Sequence, residues 1–212
     1  SAALGKLEIA LKNFSKNIHK IEKYYDFSIR QTILNEARDL KLVASNYHNR
    51  AYNNPELLIS NLKNPINQLA AKIQLEGGAR IEGVALIKPE QLLRIKIDKV
   101  TQVEKGIIYT KEKGGKQGEV LVSLKTYAEL ENYLSLNSKF KINRQDYYND
   151  IKQAALISKE VSEGSHGLRW NFAKRRMFEY GKADYTYSDS LQQVSYEMKH
   201  NRASITEHYL GG

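Results

Sequence analysis

Among the side chains of residues 166–209 able to bind an anion, move a proton or attack as a nucleophile, spacing singles out His166, Arg169, His200 and Tyr209. His166 and Arg169 stand three apart at the expected start of a helix, where i and i+3 share a face, so both project toward one ligand. Gly164 reads as a helix breaker and Ser165 as the cap of the next helix. The first turn that follows offers free N–H groups and the positive end of the helix dipole, which suit a phosphate. His200 precedes a break between a helix ending after Met198 or Lys199 and another beginning near Ser204, and that break lets Tyr209 fold back toward the same place. Each residue alone also has an ordinary structural use, the histidines as satisfied polar groups and the tyrosine as a cover for the core edge. Three of the five histidines, His166, His200 and His208, nevertheless share this last quarter of the chain.

The elements that must position these groups are legible in outline. Apolar residues at spacings of three and four predict helices over 7–25 and 29–47, and Asn53-Asn54-Pro55 then punctuates the chain. Short helices are expected from Glu56 to Leu62 and from Pro65 to Leu75. The glycine pair Gly77-Gly78 leads into Arg80 and an apolar run that ends near Pro89, which predicts a tight turn, a short helix and a stop. Three β-like runs, Leu92 to Val100, Gly106 to Lys111 and Glu119 to Ser123, predict a small antiparallel sheet, with a glycine-bearing hairpin between the last two. Helices resume over 126–134 and 144–163, the second with a core stripe of Tyr148, Ile151, Ala155 and either Ile157 or Ser158. A tyrosine-rich loop is expected between Gly181 and Ser190, and Tyr196 is expected in the core. The predicted class is mainly α with a small three-stranded antiparallel sheet (α+β).

Composition narrows the partners. The 212 residues suffice for a sizeable core. With 33 Lys and Arg against 24 Asp and Glu, the formal charge of +9 favours a polyanion such as nucleic acid. No apolar run approaches the length of a membrane span, so a membrane partner is not expected and a cytoplasmic location is. Cysteine is absent, which excludes disulfides, thiolate nucleophiles and cysteine-bound metals.

Read in order, Arg80, the hairpin wording Lys113-Gly114-Gly115-Lys116, His166-x-x-Arg169, His200 and Tyr209 resemble the catalytic block of the tyrosine recombinase (phage integrase) family. The resemblance covers roughly residues 40 to 210, which implies a catalytic domain over 41–212 and a helical extension, or the remnant of an upstream DNA-binding domain, over 1–40. It implies that Arg80 and Arg169 hold the scissile phosphate, that Tyr209 attacks it, that His166 takes the phenol proton and that His200 bonds the phosphate. Lys113 is the implied acid for the leaving 5′ oxygen, with Lys116 as the other choice. The departure is at Gly83, where the family pattern has an acidic residue three positions after the first arginine, while Glu82 lies one place earlier.

The resemblance further implies a site-specific recombinase or integrase of bacterial, phage or mobile-element context. It would form a 3′-phosphotyrosyl intermediate with no cofactor, act on double-stranded DNA, and assemble with other subunits into a tetramer there. A type IB topoisomerase, or a DNA-binding protein that keeps the fold without activity, remains an alternative. The free chain is expected to be monomeric, with Tyr209 on a terminal segment ordered only by DNA and partner subunits.

Overall fold

Two Asn-Pro pairs begin the described helices. The side chains of Asn54 and Asn64 accept main-chain N–H groups, while Pro55 and Pro65 supply the preset φ of a first helical position, giving α1 (Pro55–Ser60) and α2 (Pro65–Gly77). The computed structural model describes residues 49–200 and 203–210, with Lys113 and Ser204 described by their backbone alone. All of these belong to one compact unit starting at Tyr47. The helices expected over 7–25 and 29–47, and the boundary between 40 and 41, lie outside the described residues.

Gly78 ends α2 in the left-handed conformation at φ 65°, and Arg80 then opens the single-turn helix α3 (Ile81–Val84). A 3-10 turn at Pro89–Gln91 leads into the sheet, whose strands β1 (Leu92–Ile97), β2 (Glu104–Lys111) and β3 (Gln117–Ser123) are antiparallel in the order β1-β2-β3. The β2–β3 ladder runs unbroken from Lys105 opposite Ser123 to Lys111 opposite Gln117. β1 stops at Ile97, short of the expected Val100, because Asp98 turns the chain: its main-chain N–H bonds Val103 and its carboxylate accepts from Val100 N and Thr101 Oγ1.

α4 (Leu124–Leu136) is capped by Ser123, and α5 (Arg144–Ile157) by Asn143. α5 ends well before Glu163 because Lys159 adopts φ 57° and Glu160 N–H closes back on Ala155 O. Its buried stripe is Tyr147, Ile151, Ala154 and Ala155, so Tyr148, expected inside, and Ile157, one of the two alternatives for the stripe's last position, face solvent.

α6 (Gly164–Lys182) starts at Gly164 rather than after a Ser165 cap. Tyr52 secures this start from a distance: its hydroxyl accepts from Glu163 N–H and donates to Gly164 O. α6 continues through the segment expected as the start of a loop, and α7 (Tyr187–Glu197) begins at once, with Thr186 accepting from Asp189 N–H. The connection is therefore only residues 183–186. α8 (Ala203–Glu207) closes the described chain.

α1, α2, α4, α5 and the sheet share one core in which Leu58, Ile73, Ile108, Val122, Leu130 and Ile151 are fully enclosed. Burying each such side chain contributes about 1.5–3 kcal/mol. A second cluster joins Trp170, Phe172 and Tyr180 of α6 to Val194 of α7, Met198 and Tyr209. Tyr196 is not part of it: two positions beyond Val194 on α7, it points away from that face and is 61% exposed.

Candidate active site

The turn between α2 and α3 is held from several sides. Tyr147 Oη donates to Gln74 Oε1 at 2.8 Å, and Gln74 Nε2 donates to Ala79 O at 3.1 Å, so a buried polar pair fixes the backbone just ahead of Arg80. A Cβ on Gly78 would lie 2.4 Å from the Phe172 ring, so this left-handed position demands glycine twice over. The carbonyl of Gly78 then accepts from Arg169 Nη1 of α6. Arg80 follows in extended conformation, and its guanidinium reaches across to the hairpin, donating from Nη1 to Glu112 Oε2 at 2.7 Å.

Arg169 is 1% exposed. Its Nη2 donates to Met198 O at 3.2 Å and lies 3.3 Å from His200 Nε2, so one guanidinium ties the α2–α3 turn to the end of α7. Its Nε is buried with no hydrogen-bond partner among the described residues, an unused donor on a fully desolvated cation. His200 Nδ1 is 2.9 Å from Thr206 Oγ1 of α8, which sets the ring's orientation.

Tyr209 packs into this cluster. It is 6% exposed, its ring centroid lies 5.1 Å from that of Trp170, and its hydroxyl is 3.1 Å from His166 Nε2. The physical reason is the ring itself, since an aromatic side chain left in water forgoes one of the largest apolar burials available.

Crowded cations hold both histidines neutral. Burial, then the charges of Arg169, Arg50 and Arg80, push His166 down to about 4. Burial, then Arg169, Arg80 and Lys116, push His200 down to about 3. In its Nδ1–H tautomer a neutral His166 presents Nε2 as an acceptor to the Tyr209 hydroxyl at pH 7, the geometry of a general base beside a nucleophile. Arg169 and Arg80 supply fixed positive charge around the same point, of the kind that stabilises a crowded phosphoryl transition state.

The hairpin completes the surroundings. Lys113 begins the single turn Lys113–Gly115 at its tip, and Lys116 lies at its return, where its charge is felt by His200. The structure thus brings Arg80, His166, Arg169, His200 and Tyr209 together and sets the lysine-bearing hairpin beside them. Two charged residues of this cluster escape a reading of the sequence. Glu112 has a side chain with no solvent exposure, and Lys199, also buried, reaches it with Nζ–Oε1 at 3.3 Å. No local spacing marks either one, because they meet only through the packing of the hairpin on the end of α7.

A helical domain of this order, with a three-stranded antiparallel sheet inserted after the first arginine turn, is the catalytic-domain fold of tyrosine recombinases. Among solved structures, the chain is similar to the XerH site-specific recombinase bound to palindromic difH substrate in a post-cleavage complex, with a TM-score of 0.55 and 17% identity over 78% of this chain and 49% of that one. It is similar to the lambda integrase dimer bound to a COC′ core site, with a TM-score of 0.54 and 14% identity over 73% of this chain and 45% of that one. The XerA recombinase matches with a TM-score of 0.54 and 13% identity over 94% of this chain and 75% of that one. The chain spans about half the length of the XerH and lambda integrase chains. No protein-family model and no curated protein matches it. Among the described residues, no helix is long and apolar enough to cross a membrane.

Proposed function

We propose that this chain cleaves and rejoins DNA strands as a site-specific recombinase or integrase, with Tyr209 as the nucleophile. The observation that carries the reading is the Tyr209 hydroxyl set 3.1 Å from a neutral His166 Nε2, beside the guanidinium of Arg169. In the forward step the Tyr209 oxygen bonds to phosphorus, the bond from phosphorus to the 5′ oxygen breaks, and the phenol proton passes to His166. The departing 5′ oxygen takes a proton from the hairpin lysine, Lys113 or Lys116. Rejoining reverses each transfer with a new 5′ hydroxyl, so the linkage energy is conserved in the phosphotyrosyl bond and no nucleotide is consumed.

The electrostatics favour this timing. His166 is a weak base because burial, and then nearby cations, oppose its protonation; an incoming phosphodiester offsets those cations and raises its basicity as the substrate arrives. Arg80, Arg169 and His200 are the groups placed to bond the non-bridging oxygens. The solved neighbours XerH and lambda integrase are bound to a difH substrate and a COC′ core site, and by analogy double-stranded DNA is the partner proposed here; assembly of further subunits into a tetramer is proposed from the residue pattern alone.

The test is incubation with a nicked suicide duplex in excess chelator, followed by denaturing electrophoresis. A covalent protein–DNA band that persists in chelator is expected; cleavage that appears only when Mg²⁺ is restored contradicts the mechanism. Exchange of strands between two duplexes, rather than relaxation of one supercoiled circle, separates recombinase from type IB topoisomerase behaviour.

A further inference from the structure

The strongest unexplained feature of the site is a buried carboxylate at its centre. Glu112 Oε2 accepts from Arg80 Nη1 at 2.7 Å, while Oε1 accepts from Arg80 N–H at 3.2 Å and from Lys199 Nζ at 3.3 Å. Its two oxygens therefore join the turn that carries Arg80 to the end of α7, one residue before His200. Burial alone would raise this carboxyl, but the charges of Lys199 and Arg169 and the hydrogen bonds from Arg80 outweigh it and hold it below its ordinary value, so it is ionised at neutral pH.

Two neighbours show that the arrangement is maintained against local cost. Lys199 closes α7 at φ 57°, a left-handed position where glycine is the default, and it also places an ammonium in a buried setting. Both penalties fall on one residue, and its partner there is Glu112. At Gly83 the conflict is steric: a Cβ built there would lie 2.7 Å from Glu112 Cγ and 3.2 Å from Thr110 Cβ. Gly83 leaves on α3 the space that the Glu112 side chain enters from the hairpin.

We propose that Glu112 is a positioning residue for strand cleavage, holding Arg80 and the Lys199–His200 turn in register around the phosphate, with Gly83 as the clearance that admits it. The inference rests on the strand-transfer reading above. A carboxylate at the centre of several cations restrains their mutual repulsion and occupies one side of Arg80, leaving the rest of that guanidinium for a phosphate oxygen.

Single-turnover cleavage of a saturating suicide duplex, with melting temperature and DNA affinity measured alongside, tests this on the wild type, E112Q, E112Q/K199M and G83A. Glu112→Gln leaves Lys199 buried without its counter-charge and is expected to lower both melting temperature and rate. E112Q/K199M removes both buried charges and is expected to recover the melting temperature while cleaving about 10- to 100-fold slower than wild type, since Arg80 keeps only one neutral acceptor where the carboxylate offered two charged ones. Recovery of the rate together with stability would make the pair merely structural and overturn the proposal. G83A keeps every charge but displaces the Glu112 side chain, and it decides between the two roles if the double variant does not fold: slowed cleavage at unchanged DNA affinity supports positioning, and wild-type cleavage refutes it. A wild-type chain that forms no adduct removes the strand-transfer reading, and this inference with it; an adduct with undiminished rates in the variants removes the inference alone.

Discussion

His166 and His200 are kept neutral by burial and then by the same cations that would receive a phosphate, so the site carries a signature in stability as well as in activity. Both have folded pKa values near 4 and 3 against an ordinary 6.5, so between those values and 6.5 the unfolded chain binds protons that the folded chain refuses. Stability therefore rises with pH through that window and is lost on acidification. At pH 5 the cost is on the order of 2 kcal/mol for His166 alone. Melting temperature measured from pH 7.5 to 5.0 should fall accordingly, and His166→Gln should flatten part of the slope; an unchanged slope would mean that His166 is not buried among cations. Between pH 7.5 and 5.0 Glu112, held below its ordinary carboxylate value, stays ionised and adds little to this slope. Among single residues, Arg80, Arg169 and Tyr209 were picked out by type and order, and the fold brings them together. Glu112 and Lys199 were not, since their roles exist only once two distant segments pack together.

Among the elements, the α2–α3 turn is where local conformation and site geometry are coupled. Gly78→Ala would force a side chain into a left-handed residue and into the Phe172 ring, costing about 1 kcal/mol for the backbone and about 1–3 kcal/mol for overpacking. Since the Gly78 carbonyl also holds Arg169, cleavage should fall more than DNA binding does. Melting temperature and single-turnover rate measured together check this, and a stable variant cleaving at the wild-type rate would contradict it. The three strands and the helices α2, α4 and α5 were legible in outline from periodicity and punctuation. The start of α6 was not, because Tyr52 secures it from more than a hundred residues upstream. The stripe of α5 was misjudged by one position, since Tyr147 and Tyr148 are equally apolar in sequence and only packing selects Tyr147. The Thr186-x-x-Asp189 pattern was a readable helix start inside the supposed tyrosine loop. The anchor of α6 and α7 was likewise invisible: Arg176 pairs with Asp98 at 2.7 Å and Glu197 at 2.8 Å, three segments joined by one guanidinium.

For the whole molecule, charge decides how DNA is met. An excess of nine positive charges implies release of several counterions on binding, so the logarithm of affinity should fall steeply and linearly with the logarithm of salt concentration. Titration of a fluorescent duplex from 50 to 200 mM salt should show a loss of at least about 10³-fold if six or more phosphates are contacted, and a flat response would exclude a phosphate-tracking surface. The general fold class was legible in the sequence because a mainly helical pattern was interrupted by a single group of β-like runs. That the last residues fold back was legible in the break after His200, but how they dock was not, since it depends on α8 and the Trp170–Tyr209 packing rather than on any local signal.

Every step of the proposed reaction depends on Tyr209 becoming joined to DNA through phosphorus. That bond is detected by trapping the adduct on a suicide duplex, digesting it and locating the DNA-linked peptide by mass spectrometry, in parallel with Tyr209→Phe. The Phe ring keeps the packing against Trp170, so the variant should bind DNA nearly as well as wild type and form no adduct. The expected result is a nucleotide-bearing peptide containing Tyr209; a nucleotide on any other residue, or an adduct formed by Tyr209→Phe, would contradict the mechanism.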